Sequence, residues 1–287
     1  LHGESVVLRL LDSTQSGATE TLESLGFSDA LLTRWRQLVH RPDGLLLATG
    51  PTGSGKSTTL HAALRERSTA DVKVVTVEDP VEYRVEGAVQ LPVNPRSGFG
   101  FATALRAMLR HDPDVILVGE MRDVETAELA VRAALTGHLV LSTLHTTDAA
   151  GAVQRLRDMG IAPYLLAGTL RGVLAQRLLR RVCAACGEQR APNAMELAAY
   201  ANAQQQWPAI GPAALHAVTV GKGCSVCSGT GFRGRVAIGE LLEPELAEPT
   251  QTTSALPDLL GDGWRAVVAG LTTPGELYRV LTVESRG

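Results

Sequence analysis

An eight-residue glycine-rich segment constrains this sequence more than any other feature. Residues 50–57 read GPTGSGKS and fit the pattern G-x-x-x-x-G-K-[S/T], between an apolar run at residues 45–49 and a helical stretch at residues 58–67. In that context the backbone N–H groups cradle a phosphate, Lys56 is expected to reach the β- and γ-phosphates of a nucleotide, and the Ser57 hydroxyl is expected to ligate Mg²⁺. The alternative, a glycine-rich turn that binds nothing, is disfavoured by the complete octapeptide. The predicted nucleotide-binding residues are Gly50, Pro51, Thr52, Gly53, Ser54, Gly55, Lys56, Ser57 and Thr58.

Around this loop the sequence alternates short apolar runs with helical stretches. The runs are nearly continuous in Val, Ile and Leu, which is typical of strands buried on both faces of a parallel sheet. Helices between such strands predict an α/β fold. The predicted strands are residues 45–49, 72–77, 115–118 and 139–143, and the predicted helices are residues 28–40, 58–67, 101–109 and 126–135, with Ser28 as N-cap of the first.

Composition limits the class of protein further. The chain has 287 residues, of which 45% are hydrophobic, which suffices for a core and for about two domains. A formal net charge of −3 offers no basic field of the kind that proteins clamping nucleic acid usually carry. No run of 18 apolar residues is present, so no bilayer-spanning helix is predicted.

The sequence also predicts pieces beyond the phosphate-loop core. It begins without Met or the layout of a signal peptide, and its first residues are strand-like, so residues 1–12 are interpreted as the remnant of an N-terminal lobe. Residues 13–182 are predicted to form the core, residues 183–235 a cysteine-bearing arm, and residues 236–287 a small helical subdomain. Within the arm, residues 190–215 are rich in Ala, Gln and Pro, which indicates a loose arm or a poorly specified helical insertion.

Two apolar strands end in carboxylates, which nucleotide hydrolysis uses to hold Mg²⁺ and to polarise the attacking water. Glu120 follows the strand at residues 115–118, and because the carboxyl ends of parallel strands meet beside the phosphate loop, it is the first choice for the catalytic carboxylate. Glu78 ends another apolar run and is the second choice, with Asp79 or Glu82 in support. The alternatives are an ordinary surface glutamate and a solvated acidic turn. Which glutamate activates water stays open on the sequence.

A histidine follows the predicted strand at residues 139–143. His145 is expected to sense the γ-phosphate or a neighbouring carboxylate, although a lone histidine is usually structural. His138, which starts the same segment, is open between a functional and a structural role.

Phosphoryl transfer commonly needs a further positive charge, sometimes supplied by another subunit. Arg122 lies two residues after Glu120. Arg106 and Arg110 are one helical turn apart and therefore share a helix face. For each arginine the alternative is a solvated or salt-bridging side chain. The candidates are Arg9, Arg106, Arg110 and Arg122.

The four cysteines form two Cys-x-x-Cys pairs, Cys183/Cys186 and Cys224/Cys227. In a chain without a secretory signal, this pattern indicates a metal ion before a disulfide. Four thiolates suit a closed tetrahedral zinc site, which has no open position for a substrate and is therefore structural. The alternative is four free or disulfide-paired cysteines.

The order of these motifs resembles the type II secretion and type IV pilus assembly ATPase family. The segments that carry the resemblance are GPTGSGKST, VEDPVEY, LRHDPDVILVGEMRD, GHLVLSTLHTTDA, CAAC and CSVC. The resemblance covers nearly the whole chain and implies a hexameric RecA-like motor, here its C-terminal motor domain, that hydrolyses ATP with Mg²⁺. The cysteine quartet, with Zn²⁺, favours the secretion and pilus-extension branches over retraction motors.

The resemblance also implies roles for single residues. Together with the phosphate loop, an acidic box, an atypical Walker B motif and a histidine box are expected to surround the nucleotide. Arg9 is expected to approach the nucleotide across the ring interface, and Gly239 stands where the family often has histidine. The three boxes match Glu78/Asp79/Glu82, Glu120 and His145, respectively.

The implied partners are an inner-membrane platform protein and an anchoring protein. The chain is accordingly expected in the cytoplasm, peripheral to the inner membrane, where it powers protein export or the assembly of a pilus-like filament, with no nucleic acid as partner. The main alternative is a conjugation-type nucleic-acid translocase of the same fold, against which the 4% aromatic content and the absence of a basic stripe argue. A non-hydrolysing nucleotide switch is a third reading, against which Glu78 and Glu120 argue.

Overall fold

A central sheet with helices on both faces organises the chain. The computed structural model describes Gly3, residues 20–244 and residues 256–282. The predicted remnant of an N-terminal lobe at residues 1–12, including Arg9, lies outside the described residues apart from Gly3.

The strands alternate with helices through the first part of the described chain. None of the described helices has the length and apolar character needed to cross a bilayer. Within the described residues, the strands are β1 (Gly44–Thr49), β2 (Val74–Glu78), β3 (Val89–Pro92), β4 (Val115–Val118), β5 (Leu139–Leu144), β6 (Leu170–Val182), β7 (Gly187–Arg190), β8 (Val218–Gly221) and β9 (Phe232–Leu242). The helices are α1 (Asp29–Val39), α2 (Lys56–Arg67), α3 (Phe101–Met108), α4 (Val124–Leu135), α5 (Ala149–Asp158), α6 (Pro163–Thr169), α7 (Ala194–Gln206), α8 (Leu259–Val268) and α9 (Pro274–Thr282).

The main sheet has the strand order β3-β2-β4-β5-β1-β6-β9. Every neighbouring pair is parallel except β6 and β9, which are antiparallel. All residues of β1, β2, β4 and β5 are buried, as their unbroken apolar sequences require when helices cover both faces. The predicted mostly parallel α/β fold is confirmed, and the carboxyl ends of these strands lie along one edge.

Side-chain caps fix where the predicted helices begin. Ser28 Oγ accepts a hydrogen bond from the Leu31 N–H at 3.3 Å, which confirms Ser28 as the N-cap of α1. Asp123 caps α4 through the Thr126 N–H at 2.8 Å. Trp35, fully buried, anchors α1 against the sheet. The cap at Asp123 starts α4 three residues after Glu120, so it also sets where the strand-end carboxylate leaves the sheet.

The prediction of helical structure from residue 236 onward is wrong for its first part. Residues 236–242 belong to β9, which pairs with β6 from Leu242 opposite Val173 to Phe232 opposite Val182. The run is almost entirely buried. A short run of this kind is compatible with a buried helix or with an interior strand, and only its pairing with β6 shows that it is a strand. A Cβ atom on Gly239 would lie 2.9 Å from Leu31 Cδ1, so a histidine does not fit there.

The segment between the cysteine pairs is folded rather than loose. Helix α7 begins with a capping box in which Asn193 and Glu196 bond each other's backbone N–H groups, at 2.9 Å in both directions. Tyr200 on this helix is buried and meets the Trp264 ring of α8 edge-on, with 5.5 Å between centroids. Of the two predicted alternatives, a helical insertion is therefore correct. Strands β7 and β8 pair with each other and complete this arm.

Candidate functional site

The phosphate-loop segment forms the predicted turn between β1 and α2. Gly50, Gly53 and Gly55 have φ angles of +142°, +80° and +91°, in the region that favours glycine. A Cβ atom on Gly50 would lie 2.6 Å from the Gln176 carbonyl oxygen, so the loop is also too tightly packed there for a side chain. Helix α2 begins at Lys56, which points the N-terminus of this helix into the loop.

Lys56 is held inside the loop rather than in solvent. It is 8% exposed, and its Nζ donates to the carbonyl oxygens of Gly50 at 2.8 Å and Pro51 at 3.0 Å. Burial, reinforced by the positive charge of Arg177, lowers the pKa of Lys56 to about 8. The ammonium is therefore largely charged at neutral pH but poorly solvated, which makes an anion a strong partner for it.

Strand β6 supports the loop from below with two buried polar residues. Gln176 Nε2 donates to the Ser54 carbonyl oxygen at 2.6 Å, and an Arg177 guanidinium N–H donates to the Thr147 carbonyl oxygen at 2.6 Å. Both side chains are almost completely buried. Sequence reasoning missed these residues, although two polar residues inside an apolar run were an available signal.

Glu120 lies just beyond the end of β4, in a segment tied to the neighbouring strand. Thr143 Oγ1 donates to the Gly119 carbonyl oxygen at 2.7 Å, which fixes the backbone before the carboxylate. One Glu120 oxygen lies 2.5 Å from an Arg122 nitrogen, and the other lies 3.8 Å from His145 Nε2. The hydrogen bond that the Arg122 guanidinium donates to Glu120 raises the pKa of Arg122. The sheet edge thus brings together three of the predicted side chains, from β4, its following loop and β5.

His145 is about half exposed at the rim of this group. Burial, and then the positive charge of Lys56, lower the pKa of His145 below its ordinary value despite the opposing charge of Glu120. Its imidazole is consequently neutral at pH 7, so it can exchange hydrogen bonds with a phosphate or carboxylate but contributes little charge.

Glu78 differs from Glu120 because its carboxylate is 4% exposed and fully engaged by protein groups. Thr76 Oγ1 and Gln90 Nε2 donate to one oxygen at 2.7 and 3.1 Å. His61 Nε2 lies 2.9 Å from the other oxygen. Burial acts to raise the pKa of Glu78, but the hydrogen bond and charge of His61 outweigh it and the pKa is lowered.

These groups border one cleft of about 550 Å³, a volume suited to a nucleotide-sized ligand. Arg106 faces Glu125 on the surface, and His138 Nδ1 lies 2.9 Å from the Ala133 carbonyl oxygen, so these two predicted candidates, like Arg110, are outside the cleft lining. The predicted residues that do line it are Thr52, Gly53, Gly55, Lys56, Ser57, Thr58, Glu78, Asp79, Glu82, Glu120, Arg122 and His145.

The cleft also has walls that sequence reasoning did not identify. Leu178 of β6 and Arg235 of β9 line it opposite the acidic segment, next to the phosphate loop. His61, one helical turn after Ser57, was detectable from its spacing on α2. Arg235 was not, because it reaches the cleft only through the antiparallel pairing of β9 with β6.

The four cysteine sulfurs form a second cluster, away from this cleft, with all Sγ atoms within 4.8 Å of one another. Neighbouring pairs are 3.9 Å (Cys183 and Cys224), 3.8 Å (Cys186 and Cys227) and 3.7 Å (Cys224 and Cys227) apart. Tetrahedral bonds of about 2.3 Å from sulfur to zinc require S···S separations of about 3.8 Å, whereas a disulfide requires about 2.05 Å. The cysteines are not disulfide-paired, and their arrangement fits one metal ion.

The backbone around the second pair favours a thiolate. The N–H groups of Cys224 and Gly231 point at Cys227 Sγ, at 3.2 and 3.3 Å. Although desolvation opposes ionisation, these two bonds lower the pKa of Cys227 to about 6. Gly223 and Gly231 have positive φ angles that wrap the chain around the sulfurs. The cluster is therefore preset for metal ligation.

Comparisons with known proteins identify the family of this chain. The family described as Type II/IV secretion system protein matches residues 1–260. Type II secretion system protein E of Dickeya dadantii (strain 3937) is 47% identical over 296 aligned residues, which cover 99% of this chain and 57% of that protein. Type II secretion system ATPase E of Vibrio cholerae (serotype O1) is 44% identical over 97% of this chain and 56% of that protein. The chain thus spans just over half the length of these relatives.

Solved structures share the fold. The pilus retraction motor PilT with bound ADP superposes with a TM-score of 0.62 at 30% identity, over 91% of this chain and 66% of that chain. The Legionella pneumophila ATPase DotB gives a TM-score of 0.60 at 24% identity, over 93% of this chain and 66% of that chain, which shows a common fold only. The resemblance predicted from the motif order is confirmed: this chain belongs to the Type II/IV secretion system protein family.

Proposed function

We propose that this chain is the ATP-hydrolysing motor part of a bacterial secretion protein, and that it drives export through a type II secretion system or assembly of a type IV pilus-like filament. One observation carries the proposal: the buried Lys56 of a phosphate loop and the strand-end carboxylate Glu120 border the same cleft. The family supports the same activity, since a relative that is 44% identical bears the name Type II secretion system ATPase E.

In this proposal the phosphate loop binds the nucleotide. The ammonium of Lys56 exchanges the loop carbonyls of Gly50 and Pro51 for β- and γ-phosphate oxygens, which replaces weak acceptors with charged ones. The Ser57 hydroxyl, on the first turn of α2 and in the cleft lining, ligates Mg²⁺. When bound, Mg²⁺ neutralises the charge that develops on the phosphates.

Glu120 would orient the attacking water and accept its proton, or would support the Mg²⁺ site from the end of β4. Its carboxylate is partly exposed to the cleft and is oriented by Arg122, an exposed side chain that can leave it without uncovering a buried charge. The neutral His145 beside it is suited to contact the γ-phosphate. Arg122 and, across a ring interface, Arg9 supply positive charge to the phosphates.

The remaining parts give the motor its setting. Zn²⁺ held by the cysteine cluster stabilises the arm without taking part in the chemistry, as its four-sulfur closure implies. The whole protein forms a hexameric ring in the cytoplasm, peripheral to the inner membrane, and acts on a membrane platform protein and an anchoring protein. We assign residues 13–182 to the core, residues 183–235 to the arm and residues 236–287 to the tail of this motor, except that residues 236–242 belong to the main sheet through β9.

Hydrolysis of ATP by the purified chain, measured as phosphate release, tests the proposal. Replacing Lys56 with Ala is expected to lower both nucleotide affinity and turnover, the latter by at least about 100-fold, because a charge that stabilises the transition state is lost. Lys73→Ala is the matched control, since Lys73 is exposed and lies outside the cleft lining. Equal turnover in wild type and Lys56→Ala contradicts the proposal. Turnover stimulated by single-stranded DNA with steep salt dependence favours the translocase instead.

A further inference from the structure

His61 connects the phosphate loop to the acidic segment. It lies on α2 one turn after Ser57, is 2% exposed, and its Nδ1 lies 2.7 Å from the Ser57 carbonyl oxygen. A carbonyl oxygen only accepts hydrogen bonds, so Nδ1 carries a proton. The His61 ring is therefore hydrogen-bonded to the backbone of Ser57, the residue proposed to ligate Mg²⁺.

The other ring nitrogen faces a carboxylate. His61 Nε2 lies 2.9 Å from Glu78 Oε2. Thr76 and Gln90 both donate to the second Glu78 oxygen, which stabilises the ionised carboxylate. Because a buried charge without a partner is costly, these contacts at both carboxylate oxygens are what make the burial of Glu78 possible.

The pair also fixes the segment that follows β2. Gln90, which holds Glu78, donates in addition to the Tyr83 carbonyl oxygen at 2.9 Å and accepts from the Val85 N–H at 2.8 Å. The Tyr83 ring meets the His61 ring edge-on, with 5.4 Å between centroids. One network thus joins the first turn of α2, the end of β2 and the acidic segment beside the cleft.

We infer that His61 is a positioning residue for the Mg²⁺-binding serine, and that Glu78 serves as its buried partner rather than as the base that activates water. The inference deepens the proposed function and rests on it for the identity of the metal–nucleotide ligand. Glu78 has both oxygens in contact with protein groups, whereas Glu120 faces the cleft beside an exposed arginine. Removing His61 takes away the ring contact with the Ser57 carbonyl and the partner of one Glu78 oxygen, so the serine hydroxyl loses its fixed direction.

The consequence is measured as a ratio of two affinities. We compare binding of a fluorescent ATP analogue in the presence of Mg²⁺ with binding in the presence of a chelator. His61→Ala is expected to reduce the ratio by about tenfold, the lower end of what removal of a ligand-orienting partner costs in metal affinity, and to lower the metal-free affinity much less than the Mg²⁺-dependent affinity. Lys56→Ala instead lowers both affinities together. His138→Ala, at a histidine outside the cleft lining, should change neither.

A conservative pair of substitutions separates positioning from general support of the fold. Asn at position 61 places an amide N–H where Nδ1 stands, and Gln at position 78 removes the carboxylate charge that would otherwise be buried alone. The double variant His61→Asn with Glu78→Gln is expected to recover most of the Mg²⁺ dependence and to unfold at nearly the wild-type temperature. A single His61→Ala variant that keeps the wild-type ratio overturns the inference, as does a folded double variant that behaves like His61→Ala.

Failure of this inference is distinguishable from failure of the proposed function, because the readout is binding and not turnover. A chain that binds the analogue with Mg²⁺ dependence but releases no phosphate refutes the motor and leaves the role of His61 intact. A chain that hydrolyses ATP with an unaltered ratio in His61→Ala keeps the motor and refutes the role of His61.

Discussion

The nucleotide cleft and the cysteine cluster both bring side chains from separate segments together, but the cleft is open and the cluster is closed. The cleft gathers charged side chains from the loop after β1 and from the ends of β2, β4 and β5, and leaves them facing an opening. The cluster draws four sulfurs from two short turns and brings them to the mutual distances that a single metal ion requires. The first arrangement leaves room for a ligand to enter and leave, and the second does not.

The two regions also differ in how firmly their groups are held. Glu120 is paired with Arg122, whose side chain is 64% exposed, and His145 is half exposed. Cys183 and Cys227 are buried, and backbone N–H groups fix the Cys227 sulfur. We therefore expect substitutions in the cleft to alter rates without unfolding, and substitutions in the cluster to alter the fold of the arm with little direct effect on rates.

The largest expected effect is the loss of the carboxylate at Glu120. Glu120→Gln should lower single-turnover hydrolysis at least about 100-fold, the low end of the range for a general acid or base, with little change in thermal unfolding. Glu78→Gln should lower it much less, because that carboxylate is occupied by His61, Thr76 and Gln90. Equal small losses of hydrolysis in Glu120→Gln and Glu78→Gln would contradict the assignment of the catalytic carboxylate to this cleft.

Replacing one cysteine tests the expectation that the cluster stabilises the arm and has little direct effect on rates. Cys227→Ser should reduce zinc from about one to far below one ion per chain, because a closed site loses a quarter of its ligands, and should expose the arm to proteases. Phosphate release should stay within about threefold of wild type, since no cysteine lines the cleft. Ser225→Ala is the control between the ligands. Retention of zinc by Cys227→Ser would show that the sulfurs do not act as a metal site.

The smallest expected effect concerns Glu276 of α9, which stabilises β6 between the two regions. Its buried carboxylate accepts from Arg180 and Arg279, and although burial opposes ionisation, these arginines lower its pKa to about 2. Glu276→Gln should cost about 2 kcal/mol of unfolding free energy at pH 7, since both arginines are half exposed and screened by solvent.

The sign of the pH dependence is set by this lowered pKa. A carboxylate with a folded pKa of about 2 and an unfolded pKa of about 4.3 stabilises fully above the higher value and loses this contribution as pH falls toward the lower one. The difference between wild type and Glu276→Gln should therefore shrink from about pH 5 to about pH 2. Glu128→Gln is the control, because that glutamate forms only an exposed pair with Arg132. A constant difference at all pH values would assign the effect to packing.

The strand–loop–helix unit at the phosphate loop was predictable because its information is local. Glycines at residues 50, 53 and 55 impose the turn, and the apolar run before them can only be a buried strand. The end of β9 was not predictable, because a short apolar run is ambiguous until its partner β6 is known. For the arm, the sequence left a loose segment and a helical insertion both open, since α7 is rich in Ala and Gln and buries only Tyr200 and Ala203.

The two glutamates show the same limit at the level of single side chains. Glu78 and Glu120 follow apolar strands in the same way, and the sequence places both at one sheet edge. What separates them comes from elsewhere in the chain: His61 on α2 and Gln90 on β3 engage Glu78, whereas Arg122 and His145 leave Glu120 accessible. Roles that depend on partners distant along the sequence can be assigned only from the folded structure.

Strand β6 sets a fixed spacing between two otherwise independent sites. It runs from Leu170 to Val182, with Gln176 beneath the phosphate loop and Cys183 directly after its end, and its pairing with β9 shifts register between Arg180 and Val182. Because side chains alternate between the faces of a strand, deleting one residue between Gln176 and Arg180 would turn one site to the wrong side of the sheet. The insert after Cys186 carries no such restriction. Chimaeras that exchange arms between relatives should therefore be joined at the cysteine turns. The number of residues between Gln176 and Cys183 should be kept as it is in this chain.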